Sequence, residues 1–355
     1  MSSTVSSYDY ESYNYTDEDF VPFCDNQESI SFGDIFTQVL YSLIFIFCLI
    51  GNILVFWILV KYEKLKSVTN IFILNLVISD LLFACSLPFW IVDHTHGWIF
   101  GKAMCKILSL IFFVSYYSGI MLLTLMTIDR YLVVVHPLSA VRIRTISYSV
   151  VACLLVWCIS ILATIPDMIF SDIIVNQRFT CGSVYPKEHE EIWRLVQCSE
   201  QNILFFLIPF VIIVYCYYRI FNTVVKCRAR KKFKAVKVIF CIVAVFFVCW
   251  APYNVVIFLL SLYDLKVLIV ESCGMGNHLD LAFFICRNLA YFHCCLNPFF
   301  YALVGTKFRK HLKKIISMSL PYHNVSKHSK YRHRGRHLSS SHDYSNSSGF
   351  NGIYL

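Results

Sequence analysis

The charged residues that stand inside apolar runs are the first candidates for chemistry in this 355-residue chain. Asp80 closes the run Asn75-Leu76-Val77-Ile78-Ser79-Asp80, Asp129-Arg130 ends another, and Arg287 interrupts Ile285-Cys286-Arg287-Asn288-Leu289-Ala290. A charge in an apolar medium must be met by a proton, a counter-charge or a bound ion. Asp80, with Asn52, Ser79 and Asn297, offers oxygen ligands to a sodium ion or a water cluster. A protonated Asp80 hydrogen-bonded to its neighbours is the plainer alternative. Asp129 beside Arg130 is an ion pair that can be made and broken. Arg287 calls for a carboxylate, either Glu200 or one carried by a ligand. No nucleophile–base pair or metal-ligand spacing stands out among these embedded polar residues, so the chain does not read as an enzyme. The run of His, Lys and Arg from His323 to His337 reads as a solvated or lipid-contacting tail rather than a metal tract.

Seven apolar stretches must position these residues: about 35–60, 71–92, 104–135, 150–170, 203–221, 236–262 and 279–304. Each reaches the ~20 residues that a helix needs to cross a bilayer. A helix is the open-ended way to cross, because lipid offers no partner to backbone N–H and C=O groups. Composition agrees. Apolar residues make up 57% and charged residues 15%, with 31 Phe, 22 Tyr, 6 Trp and a mean hydropathy of +0.61. A soluble domain has about 25% charged residues and lacks the interior to hide this much apolar surface. Disorder along most of the chain and a nucleic-acid partner are both excluded, despite the net charge of +9. That charge is unevenly placed: 24 of the 31 Lys and Arg fall on one side of the spans and seven on the other. The N-terminus is therefore outside and the C-terminal tail in the cytoplasm. Residues 1–33 show no basic n-region or apolar h-region, so the first span is expected to serve as an uncleaved signal anchor. The fold class is an all-α membrane protein, a seven-transmembrane-helix bundle. It divides into an extracellular arm (1–33), the bundle (34–304) and a cytoplasmic helix and tail (305–355). A channel or transporter would call for ionisable residues along a continuous path and, often, repeat symmetry; neither is visible.

Of 16 Cys, only Cys24, Cys105, Cys181 and Cys273 fall on the oxidising side. Three pairings are open from sequence alone. The topology favours Cys105, at the top of span three, with Cys181 in the second outer loop, and Cys24 with Cys273. The spans also carry, in order, Gly51-Asn52, Asn75 through Asp80, Asp129-Arg130-Tyr131 through Pro137, Trp157, Pro209 with Tyr217, Cys249-Trp250-Ala251-Pro252-Tyr253, and His293-Cys294-Cys295-Leu296-Asn297-Pro298 through Tyr301. Together they resemble the rhodopsin-like G-protein-coupled receptors over about residues 35–317. Ser86-Leu87-Pro88, the His293-Cys294-Cys295 segment, Val135-His136-Pro137 and the extra Cys24/Cys273 pair narrow the likeness to chemokine receptors. Segments 59–63, 69–76 and 285–290 most resemble the XC-type (lymphotactin) receptor. Many CC-type receptors place a Glu where this chain has Arg287, and amine receptors an Asp near Phe112, which is absent here.

The first 60 residues hold eight acids and no Lys or Arg. Tyr8, Tyr10, Tyr13 and Tyr15 are interleaved with them, beside Asp17, Glu18 and Asp19. The acidic flanks suit tyrosine sulfation, and such an arm steers a basic protein ligand in a salt-dependent way. Asn14-Tyr15-Thr16 is a glycosylation sequon on the outer side. A second ligand contact is expected in the upper bundle, lined by Tyr41, Trp90, Phe112, Tyr116, Tyr253 and Arg287. The resemblance implies that activation releases Arg130 from Asp129 and swings span six about Pro252, below Trp250. Tyr217 and Tyr301, the latter next to Asn297-Pro298, fill the space left behind. It also implies a chemokine ligand, a heterotrimeric G protein of the inhibitory class, arrestin recruited by phosphorylation of Ser339–Ser348, and no cofactor beyond the sodium ion considered at Asp80. Gly119 stands where many relatives supply a serine ligand, which weighs against sodium. A CC-type receptor and another peptide or chemoattractant receptor are the alternative readings. The basic segment 307–316 is expected to form an amphipathic helix against the anionic inner leaflet.

Overall fold

The computed structural model describes residues 27–63, 67–175, 178–227, 230–264, 273–304 and 306–319. The acidic arm, Cys24, Asn14 and the serine-rich tail lie outside the described residues, and so does the side chain of Cys273. Seven helical segments are long and apolar enough to cross a membrane, and each overlaps one of the seven expected stretches. The first is α1 (Gln27–Ile58), carried on by a π turn over Leu59–Glu63. Then come α2 (Val68–His96) and α3 (Gly101–Val135). A short α4 (Pro137–Ile143) fills the second inner loop. Span four is α5 (Ile146–Ala163) with α6 (Ile165–Phe170), separated where Pro166 enters the first turn of α6 and cannot donate to the preceding helix.

The second outer loop is an antiparallel hairpin of β1 (Ser171–Val175) and β2 (Phe179–Ser183), with Ile173 opposite Cys181. Span five starts at Lys187, not near residue 203 as its hydropathy suggests. A 3-10 turn (Lys187–His189) leads into α7 (Glu190–Ser199), a π-helical stretch (Glu200–Leu207) and α8 (Ile208–Cys227). Its outer turns are polar because they stand in water, and Arg194 pairs with Glu190 one turn back at 2.7 Å. Spans six and seven are α9 (Arg230–Asp264) and α10 (Cys273–Val304), each with a proline inside it, Pro252 and Pro298. α11 (Thr306–Ser319) follows. The chain separates into two compact units: Met1–Lys314, which holds the bundle, and Ile315–Leu355, whose described residues, 315–319, are helical.

Local chemistry sets the element ends. Thr145 caps α5 by accepting from the Tyr148 N–H at 3.1 Å. α2 ends at Gly97, whose φ of 79° favours glycine, and whose missing side chain leaves room for the Phe179 carbonyl 2.9 Å from where a Cβ would stand. Trp98 then donates its N–H to that carbonyl and buries its ring against Cys105 and Leu108, so the hairpin is seated on the outer end of α3. Inside the bundle, Tyr41, Phe72, Tyr117 and Trp250 are almost fully buried. By contrast Phe47 is 61% and Leu154 60% exposed, the apolar belt that lipid must cover. Gly51 lets span seven approach span one: a Cβ there would lie 2.9 Å from the Pro298 ring.

Candidate ligand cavity and cytoplasmic switch

At the outer end, Cys105 and Cys181 are joined by a disulfide, with Cα atoms 5.6 Å apart. It fixes β2 over the bundle. Lys102 reaches Asp172 of β1 at 2.6 Å and holds that carboxyl below the usual aspartate range. Beneath the hairpin lies a cavity of about 180 Å³ lined by Tyr41, Trp90, Phe112, Tyr253 and Arg287, five of the six expected residues. Tyr116 is the exception. It sits four residues, about 6 Å, deeper along α3, 4% exposed and stacked on Trp250 with ring centroids 4.0 Å apart. Its hydroxyl meets Asn254, so it forms the floor's support rather than the lining. The sequence reading missed His94, Phe283 and Tyr291, which also line the cavity. Each belongs to a face already identified, one turn from Trp90 or Arg287, and that spacing was the available signal.

Arg287 is held by soft contacts. Its guanidinium lies 5.5 Å over Phe283 and 3.5 Å from His94 Nε2, and its Nε is buried with no hydrogen bond among the described residues. The field of Asp93 reaches it, yet no carboxylate among the described residues forms an ion pair with it. Glu200 is not its partner. The π-helical stretch turns Glu200 toward the end of span four, where it lines a separate hollow with Asp167. The cavity is thus aromatic and cationic, with one guanidinium N–H unspent.

Below it, Trp250 stacks on both Tyr116 and Phe246 and meets His293 edge-on at 5.3 Å, linking spans three, six and seven two residues before Pro252. Asp80 accepts from Asn297 Nδ2 at 2.8 Å, and His293 Nε2 lies 3.9 Å from its other oxygen. The remaining expected ligands face elsewhere. Ser79 donates to the Ser115 carbonyl at 2.8 Å and meets Ser118 at 3.0 Å, while Asn52 donates to the Cys48 and Cys294 carbonyls. A side chain at Gly119 would lie beside Ser79 Oγ, and none is there to draw it back. Ser79 is turned away and Gly119 brings no ligand. Of the expected set, the Asp80 carboxylate and the buried Asn52 Oδ1, which has no hydrogen bond among the described residues, remain as oxygens for a sodium ion.

At the inner end, Arg130 Nη2 pairs with Asp129 Oδ2 at 2.8 Å. Sequence reading missed that Asp129 is held twice. Arg144, just beyond α4, places Nε 2.5 Å from Oδ1 and Nη2 3.3 Å from Oδ2. Thr69 on α2 accepts from both arginines. No sequence signal brings Arg144 back; the compact turn of α4 does. Tyr131 faces away from this cluster, with its hydroxyl 3.1 Å from His136 Nε2. Tyr217 packs edge-on against Phe240, and Tyr301 is buried between spans; neither hydroxyl has a hydrogen-bond partner among the described residues. Two unspent hydroxyls in the inner half of the bundle are groups that a rearranged inner end can pair. Glu63, after span one, bonds His311 of α11 at 3.1 Å.

A seven-helix bundle with an outward cavity, a buried aromatic hub and an inward ion-pair latch defines a membrane signalling receptor, not a catalyst. Residues 51–301 match the seven-transmembrane receptor model of the rhodopsin family, and the chain belongs to that family. It is 46% identical to human "Chemokine XC receptor 1" over 293 residues, 82% of this chain and 84% of the relative. It is 40% identical to human "C-C chemokine receptor type 4" over 292 residues, 82% and 81% of the two chains. The rat "CX3C chemokine receptor 1" is 39% identical over 325 residues, 90% and 88%. The chain is therefore a chemokine-receptor-type member of the family, a multi-pass plasma-membrane protein working with a ligand and the G-protein and arrestin machinery.

Proposed function

We propose that this receptor is of the XC type: it captures a basic chemokine on its acidic arm, admits part of it to the Arg287 cavity, and activates an inhibitory-class G protein. The observation that carries the reading is the cavity's charge. Its buried cation pairs with no carboxylate among the described residues, so the ligand segment that fits best brings an acidic or carbonyl-rich group, whereas a receptor with a Glu at this place would select an amine. Capture and triggering are then two contacts of opposite sign. Tyr8, Tyr10, Tyr13, Tyr15, Asp17, Glu18 and Asp19 attract the ligand's basic body, and Cys24–Cys273 would tether the arm near span seven. Arg287, Tyr41, Trp90, Phe112 and Tyr253 receive its tip.

Pressure on Tyr253 passes to Trp250, whose rings meet edge-on at 5.6 Å, and so to the Pro252 bend. Outward movement of α9 opens a groove for a helix of the G protein, and Arg130 leaves Asp129. One ion pair supplies only a few kcal/mol, so ligand contacts must also favour the open state. Calcium flux in transfected cells exposed to a panel of purified chemokines tests the class. A response to an XC ligand supports the reading. A response only to CC ligands moves the receptor to that subclass, and a response only to short peptides refutes the chemokine assignment.

A further inference from the structure

Spans five and six leave an apolar groove between them on the side that lipid must cover. It has a volume of about 510 Å³ and runs from Phe221 and Val236 at the inner end to Phe210 and Phe247 further out. The Phe210 and Phe247 rings meet edge-on at 5.0 Å and close it there. Behind it, Ile220 and Val236 are buried together with Val134 of span three. Its walls are open: Val214, Tyr218, Phe221 and Phe240 are 49–63% exposed. Lys237, exposed at the inner end beside Val236, is the one charged residue of the lining. The size suits a small amphiphile, since apolar sites with a few placed polar groups run to about 300–1,000 Å³.

Length and charge together select the occupant. The stretch of helix from Phe210 to Phe221 is about 16 Å long at ~1.5 Å per residue. Half of a ~30 Å hydrocarbon core is about 15 Å, so the groove reaches from the inner interface to near the midplane. That is the depth of one acyl chain of the inner leaflet. At the same end the segment 226–237 holds seven Lys and Arg, whereas three acids lie on the inner side, Glu63, Asp129 and Asp343. Glu63 is bonded to His311, and Asp129 to Arg130 and Arg144. Asp343 belongs to the tail, outside the described residues. The counter-charge on offer to Lys237 is then the phosphate of the anionic inner leaflet, which attracts basic segments beside a span. A second copy of this chain, docked symmetrically through this face, would bring the same lysines together and be repelled.

We propose that this groove binds an anionic phospholipid of the inner leaflet, with one acyl chain laid between spans five and six and its phosphate met by Lys237. The full-length receptor is placed in phosphatidylcholine nanodiscs containing a little phosphatidylserine with a diazirine in one acyl chain. After photolysis the labelled residues are mapped by mass spectrometry. The expected result is saturable labelling within 210–221 and 236–247, displaced by unlabelled phosphatidylserine and insensitive to a matching addition of phosphatidylcholine. Lys237→Gln should weaken the apparent affinity about fivefold, the share of one lysine near an anionic surface. Ala244→Phe fills the groove while keeping every cation, so labelling there should disappear. Val214→Trp fills it from the facing span and should act alike, and size-exclusion profiles identify a variant that fails to fold. Equal labelling by a phosphatidylcholine probe would mean ordinary boundary lipid and overturn the proposal. So would unchanged affinity in Lys237→Gln, or selective labelling that survives both groove-filling variants, which would assign the attraction to the basic loop alone. Exclusion of the label by receptor dimers formed through this face would equally overturn it.

Discussion

Replacing Arg144 with Gln removes the second grip on Asp129 and should make the receptor noisier without ligand. Arg144 makes two contacts with this carboxylate, at 2.5 and 3.3 Å, and the Asp129 side chain is only 3% exposed. Hydrogen bonds to charged groups contribute about 1.5–3 kcal/mol net. The Arg144 side chain is 26% exposed, and solvent screening brings its share down to roughly 1–2 kcal/mol. At about 1.4 kcal/mol per tenfold, the closed state loses a factor of roughly 5–30. A minor open state near 1% would then rise to about 5–25%. The assay is ligand-free nucleotide exchange on purified G protein, at matched receptor amounts in nanodiscs. Arg144→Lys should fall between, because an ammonium keeps the charge but loses the two-pronged contact. Basal exchange within twofold of the parent, or lower, with an unchanged melting temperature would refute the claim that Arg144 holds the latch.

Other outcomes follow from the same geometry. Arg287→Ala should reduce maximal signalling well before it reduces ligand capture, read by calcium flux against radioligand binding; equal potency and efficacy would take Arg287 out of the site. Changing Tyr8, Tyr10, Tyr13 and Tyr15 to Phe should slow association and flatten its salt dependence, measured by surface plasmon resonance across ionic strength, since steering acts on the on-rate. Cys105→Ser opens a loop spanning 76 residues, and loop-closure entropy puts the cost at about 4–5 kcal/mol, visible as loss of surface expression or a large drop in melting temperature. Gly51→Ala forces a Cβ to within 2.9 Å of Pro298 and should cost about 1–3 kcal/mol by overpacking, read by thermal unfolding.

The spans were legible because lipid demands long apolar runs, and the charge asymmetry of the loops gave their direction. Span five was legible only in its membrane part: the turns from Lys187 outward are helical yet polar, so hydropathy stops short of them. The cavity residues were found where aromatic or charged side chains sit near the outer ends of spans. Tyr116 was misplaced because sequence gives the face of a helix but depth only to within a turn, and Tyr116 shares its face with Phe112. Ser79 and Asn52 sit next to Asp80 in the motif order but bond elsewhere, a choice made by rotamers and by the small Gly119. Contacts made through a fold-back escaped altogether. Arg144 returns to Asp129 by way of α4, and Gln197 of α7 reaches back to Asp167 of α6 across the hairpin.

The most direct test of the receptor itself is ligand-driven nucleotide exchange on a purified inhibitory-class G protein, using full-length receptor in nanodiscs and a panel of basic chemokines. At least one ligand of the XC class should accelerate exchange severalfold, with the acceleration lost in Arg287→Ala and in Arg130→Ala. Folded receptor that leaves exchange unchanged with every ligand of the XC and CC classes would contradict the account.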